Sequence, residues 1–185
     1  MSQRLIIELE AAIAAKNPAL AQRLQPGLPD DAVKQYLSEA QVTGEVDALI
    51  ALYTWKNGTV ADESTLLTET AFFPDELYQF LPIQTAISQL KDMHSGATFH
   101  PKLAQEIARY FPMFWDNSTG FIAVDVTNGS NNRVVLLDFE EAERAREAFS
   151  SFDDFIRDAI RANVEDDRLA CFQPGEHPGE DGRPH

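Results

Sequence analysis

Between residues 111 and 139 the sequence carries three short apolar runs, Phe111–Trp115, Phe121–Val126 and Arg133–Phe139. They are parted by the turn-forming clusters Asp116–Gly120 and Thr127–Asn132. Runs of this length, bounded by Asn, Asp, Ser and Gly, predict β-strands, and their close spacing joins them as a meander. Side chains alternate across a strand, so Ile122, Val124 and Val126 share one face while Phe121, Ala123 and Asp125 share the other.

The flanks follow a different period. Leu5, Leu9, Ala12 and Ile13 form one apolar stripe, predicting a helix over 2–16 that Ser2 can cap and Asn17-Pro18 stops. A helical turn over 19–24 is closed by Pro26-Gly27. Leu28-Pro29-Asp30-Asp31 opens the next helix, with proline and acids where the first turn favours them, and Val33, Tyr36, Leu37 and Ala40 facing inward. A helix over 45–55, with Val46, Leu49, Ile50 and Tyr53 inward, ends at Lys56-Asn57-Gly58, where Asn57 and Gly58 tolerate a left-handed φ. Residues 65–73 and 77–81 read as extended, separated at Phe73-Pro74-Asp75. Helices are predicted over 82–91 and 101–110. A last helix carries Phe152, Phe155, Ile156, Ala159 and Ile160 on one stripe. Its start has Ser151 three residues before Asp154, a capping-box spacing. The segment 173–185 holds three prolines and three glycines and reads as a disordered tail.

At 185 residues the chain suits one domain burying about 70% of its surface. Hydrophobic residues make up 44% and aromatics 10%, which excludes a wholly disordered chain. Thirty acidic against fifteen basic side chains leave a net charge of −15. Phosphate binding needs lysine and arginine to displace counterions, so this balance speaks against nucleic-acid and anionic-membrane binding and for a basic partner. The single cysteine, Cys171, excludes an internal disulfide framework. Glu8 and Glu10 interrupt the N-terminal apolar run, so no signal peptide is read there, and no stretch approaches the ~18–20 apolar residues of a membrane span. A cytoplasmic location is expected. Without a secretion signal, the sequons at Asn57, Asn117 and Asn128 read as turn chemistry.

The phosphate-loop, dinucleotide, zinc-protease and nucleophile-elbow signatures are all missing. His94 and His100 flank a short loop without an acid or cysteine at ligand spacing; no metal and no cofactor is implied. The paired carboxylates read as helix first-turn acids or solvated faces, since adjacency alone gives neither the separation nor the raised pKa of a glycosidase pair. One collective feature stands out: no positive charge falls between Lys56 and Lys91, a span that holds Asp62, Glu63, Glu69, Asp75 and Glu76. An acidic surface there could meet a basic partner. Trp55 and Trp115 have two readings, core filling beside a turn or an aromatic interface anchor.

Taken in order, several segments resemble the SUKH superfamily, which includes fungal regulators of cell-wall glucan synthesis and many bacterial proteins. They are Leu28-Pro29-Asp30-Asp31, Trp55-Lys56-Asn57-Gly58, Phe80-Leu81-Pro82-Ile83, the three meander strands, and Phe149-Ser150-Ser151-Phe152-Asp153-Asp154-Phe155-Ile156. The resemblance spans about 28–162 and rests on order and spacing. It implies an α+β domain over 28–172, with a central, mostly antiparallel sheet, a C-terminal β-meander and helices packed around it, preceded by a helical extension over 1–27. Family members often carry a glycine-rich turn where this chain has Asp116-Asn117-Ser118-Thr119-Gly120, which keeps only the flanking Asp and Gly. The family is known for binding, and its bacterial members often look like immunity proteins that neutralise a cognate toxin, frequently a nuclease.

The function expected on these grounds is non-catalytic binding of a basic protein partner, a cognate toxin, through an acidic surface. Asp62, Glu63, Glu69, Asp75, Glu76, Asp116 and Asp125 would supply charge and Trp115 an anchor. Asn57, Gly58 and Gly120 would be structural turn residues. The alternatives are a regulatory or scaffold role in cell-wall or envelope biology and a carboxylate-based hydrolase.

Overall fold

The computed structural model of the chain describes residues 3–60, 67–73, 76–97, 107–138, 145–165 and 169–170. Helix α1 spans Gln3–Lys16 and α2 spans Pro18–Arg23. Strand β1 (Leu24–Pro26) leads through Gly27 to α3 (Asp30–Glu39), and α4 (Asp47–Trp55) runs directly into β2 (Lys56–Thr59). Helix α5 (Leu67–Thr70), β3 (Ala71–Phe73), β4 (Glu76–Phe80) and α6 (Ile83–Ala97) follow. The remainder is β5 (Tyr110–Trp115), β6 (Gly120–Asp125), β7 (Val134–Asp138), β8 (Arg146–Phe149) and α7 (Phe152–Glu165).

Six strands form one antiparallel sheet in the order β3-β4-β5-β6-β7-β8, and β1 pairs with β2 in a small second sheet. The chain is thus an α+β domain with a β-meander toward its C-terminal end. The meander keeps the register expected of short turns: Trp115 faces Phe121 and Phe121 faces Leu137. One irregularity falls between Pro112 and Phe114. A bulge suits a proline, which donates nothing to the ladder, and the Leu81 N–H takes the Met113 carbonyl at 3.0 Å.

The sheet is buried on both sides, which explains why β6 reads as a continuous apolar run. Ile122, Val124 and Val126 belong to the larger core, together with residues from the helices around it. Phe121 and Ala123 belong to a smaller cluster with Met93, Ile107, Tyr110, Val135 and Leu137. Phe72, Phe73, Phe80, Phe114 and Phe155 pack ring to ring at the centre of the larger core, from 5.0 Å (Phe72–Phe114) to 5.9 Å (Phe73–Phe155).

The end helices close over this core. Leu5, Leu9 and Ile13 of α1 and Phe152, Phe155, Ile156 and Ala159 of α7 are all buried in it, and the two helices pack against each other. The N-terminal helix is therefore part of the same core as the sheet. Ser151 caps α7: its hydroxyl accepts the Asp154 N–H at 3.2 Å and donates to the Asp154 carboxylate at 2.7 Å. Asn17 stops α1 and caps α2, its side chain accepting the Leu20 N–H at 3.0 Å.

Several expectations need correction. Of the extended reading over 65–73, residues 71–73 are strand and 67–70 form a helical turn, while 65–66 lie outside the described residues. Tyr110 opens β5 instead of ending a helix, and 101–106 lie outside the described residues, as does the tail 173–185. Lys56 is the C-cap of α4, its N–H donating to the Leu52 carbonyl, but the chain leaves the helix extended and the left-handed φ comes only at Gly58. Lys56 turns extended, with φ −144° and ψ 145°, and begins β2. Asn57 is structural as well: its side-chain amide oxygen accepts the Ile83 N–H opening α6 at 3.0 Å. Gly58 has φ +78°, and a Cβ there would lie 2.2 Å from the Pro82 nitrogen.

Candidate functional site

Three of the acids singled out in the sequence, Glu69, Asp116 and Asp125, lie in separate settings in the structure. Glu69 lies on α5 and pairs with Arg23 at 2.6 Å. Asp116 closes the β5–β6 turn by accepting the Ser118 and Gly120 N–H groups at 2.8 and 3.0 Å. Gly120 lets the Asp116 carboxylate approach closely, since a Cβ there would sit 2.5 Å from it. Trp115 is half-buried, stacks on Phe121 at 6.2 Å and 10°, and donates its indole N–H to the Ser118 carbonyl at 3.0 Å. Its ring contributes to both clusters, so the core reading holds for most of the side chain. Glu76 opens β4, and nothing further is described of its side chain; Asp62, Glu63 and Asp75 lie outside the described residues.

Asp125 requires the clearest correction. It is 0% exposed, so it contributes no outward-facing carboxylate. Its carboxylate accepts from Arg109 at 2.9 Å, from Arg133 at 2.8 Å, and from the Thr127 N–H and hydroxyl at 2.9 and 2.6 Å. Burial pushes this carboxyl up, but the Thr127 and Arg133 hydrogen bonds and the Arg109 charge outweigh it and hold the group below the usual carboxylate range. Arg133 also reaches Glu147 at 3.6 Å, so the network joins the approach to β5 with β6, β7 and β8.

Above this network the β6–β7 turn forms one wall of an open cleft of about 570 Å³, lined by Glu45, Asp47, Asn131, Asn132, Ser151, Asp153 and Arg157. The cleft lies where the first turns of α4 and α7 meet the turn. Its wall is tied down at several points. The Glu45 N–H donates to the Val126 carbonyl at 2.7 Å. The Glu45 carboxylate accepts the Gly129 N–H at 2.7 Å. The Asn132 amide donates to the Glu45 carbonyl at 2.8 Å and accepts the Ala48 N–H at 3.3 Å. Gly44, at φ +109°, lets its backbone approach, since a Cβ would lie 2.0 Å from the Val126 oxygen. Asn131 and Asn132 both hold positive φ, 55° and 48°, a conformation that asparagine tolerates better than most side chains.

Three carboxylates, Glu45, Asp47 and Asp153, line the cleft with a single guanidinium, Arg157, which is bonded to Asp154 at 2.9 Å and lies 4.0 Å from Asp153. This arrangement suits an incoming ammonium or guanidinium group. Among the described residues no group of three or more His, Cys, Asp or Glu side chains could hold a metal ion, and no helix is long and apolar enough to cross a membrane.

Sequence reasoning placed Thr127–Asn132 in a turn and 45–55 in a helix but could not join them, because the contacts between them span more than eighty residues. Arg109 and Arg133 carried no signal at all, since nothing in a linear sequence marks an arginine as the partner of a buried acid. No family model matches this chain, and no curated protein matches it in sequence.

Proposed function

We propose that this chain is a non-catalytic protein-binding domain of the SUKH type, serving as a bacterial immunity protein against a basic toxin. The observation that carries the reading is how charge is distributed. Arg4, Arg23, Lys34, Lys56, Arg109, Arg133, Arg157 and Arg161 each lie within 4 Å of a carboxylate of the same chain. These cations are engaged internally, while the whole molecule carries −15. The field presented to a partner is negative, and such a field speeds encounter with a basic surface and can occlude a nuclease cleft by standing in for phosphate.

Two regions compete for the contact: the acids at 62, 63, 75 and 76, and the cleft rim formed by Asp47 and Asp153. Kinetics separate them. The coding sequence beside this gene supplies the candidate toxin, and co-expression should restore growth of cells producing it. Association with the purified toxin should approach 10⁸ M⁻¹s⁻¹ at low salt, against about 10⁵–10⁶ for an unsteered pair, and fall steeply as salt screens the field. Charge reversal of Asp62, Glu63, Asp75 and Glu76 should slow association without lowering the melting temperature; Asp47→Asn with Asp153→Asn tests the cleft in the same way. Salt-independent association would sink the electrostatic mechanism, and absence of growth rescue would sink the immunity role.

A further inference from the structure

The chain contains two Asn-Gly pairs, Asn57-Gly58 and Asn128-Gly129. In such a pair the glycine nitrogen can attack the asparagine side-chain carbonyl carbon, because glycine has no side chain to obstruct the approach and reaches backbone conformations closed to other residues. The fold treats the two pairs oppositely. Asn57 is 6% exposed, its side-chain oxygen is engaged by the Ile83 N–H at 3.0 Å, and Gly58 lies against Pro82. Closing a ring there would dismantle the start of α6. Asn128 and Gly129 are exposed at the tip of the β6–β7 turn, and nothing lies within 4 Å of the position a Gly129 Cβ would take.

We propose that Asn128 is a site of spontaneous backbone rearrangement, restrained by Glu45. The Gly129 nitrogen bonds to Asn128 Cγ, the Cγ–Nδ2 bond breaks, and the proton lost from the Gly129 nitrogen leaves with the departing ammonia. Water then opens the resulting succinimide at either carbonyl to give aspartate or isoaspartate, with no change in oxidation state. The restraint is geometric: the nitrogen that must attack donates its hydrogen to the Glu45 carboxylate at 2.7 Å, and it must leave that bond to react. The product carries a new negative charge beside Glu45. In its isoaspartate form it also lengthens the main chain within a turn where Gly129, Asn131 and Asn132 all hold positive φ. Because Asn132 of this turn holds Ala48 and Glu45, rearrangement loosens the wall of the cleft.

The experiment is incubation of the full chain at mildly alkaline pH, followed by peptide mapping by mass spectrometry and isoaspartate detection, with a parallel sample in denaturant. In the folded chain conversion is expected at Asn128 and not at Asn57, while the denatured chain converts at both. Asn128→Gln should abolish the signal, and Glu45→Ala, checked by a thermal melt to be folded, should accelerate it. Conversion of Asn57 as fast as Asn128 in the folded chain overturns the assignment. So does an intact Asn128 in the folded chain when the denatured sample converts. Slower conversion in Glu45→Ala overturns the restraint, since the carboxylate would then be driving the attack.

Discussion

At position 125 a carboxylate with no exposed surface is balanced by two guanidinium groups and by both donors of Thr127. Substituting Asn would leave two arginines facing a neutral amide, so Asp125→Asn should cost about 3 kcal/mol at neutral pH, measured by chemical denaturation. The pH dependence has a definite sign. The folded-state pKa is depressed, so the stabilisation is fully present above the unfolded pKa and is lost as pH falls through the folded one. Stability of the native chain should therefore decline with acid in that window, and the Asn variant should show a shallower decline. Tyr53 presents the opposite situation. Its ring packs against Phe80 at 5.5 Å and Phe111 at 6.3 Å, yet its buried hydroxyl has no hydrogen-bond partner among the described residues, and burial pushes the phenol pKa up. Tyr53→Phe removes a desolvated polar atom and keeps the ring, so the melting midpoint should hold or rise, by up to about 1 kcal/mol of stability. A clear drop would reveal a partner for that hydroxyl.

Among the elements, β2 shows best what a glycine can be required for. Gly58 sits at φ +78° with the backbone of Leu81 and Pro82 where a side chain would go. Gly58→Val should destabilise the fold by more than ~1 kcal/mol, through both the β-branched φ penalty and the collision, as read from the midpoint of two-state unfolding. The elements legible in the sequence were those whose own residues show a period. The stripes of α1 and α7, the apolar run of β6 and the capping pair Ser151 and Asp154 are all written in the local sequence. Strand β8, Arg146-Glu147-Ala148-Phe149, was not legible. Its first two residues are exposed charges, and it is defined by pairing with β7 at the sheet margin. Strand β1 is likewise made by its partner, since three residues ending in proline carry no signal of their own. The cleft was hidden for a related reason: Glu45, Asn132 and Ser151 meet only after the sheet has formed.

At the scale of the molecule, the two ends of the described chain are bound to each other while the sheet between them is laid down in sequence order. Deleting residues 1–16 would withdraw Leu5, Leu9 and Ile13 from the core at roughly 1.5–3 kcal/mol each, which exceeds much of the stability typical of a domain. Such a truncation should lose its cooperative thermal transition, and retention of a sharp one would show α1 to be dispensable. The same contact bears on biosynthesis. The meander can zip hairpin by hairpin as it leaves the ribosome, each strand meeting a neighbour already present. Helix α1 is synthesised before the sheet, but α7, which packs against it, is made after the sheet. At synthesis rates of about 5–20 residues per second, that stripe waits on the order of ten seconds for α7. For that interval the nascent protein offers a short amphipathic helix to any chaperone, and its folding is completed only as the C-terminal helix clears the exit tunnel.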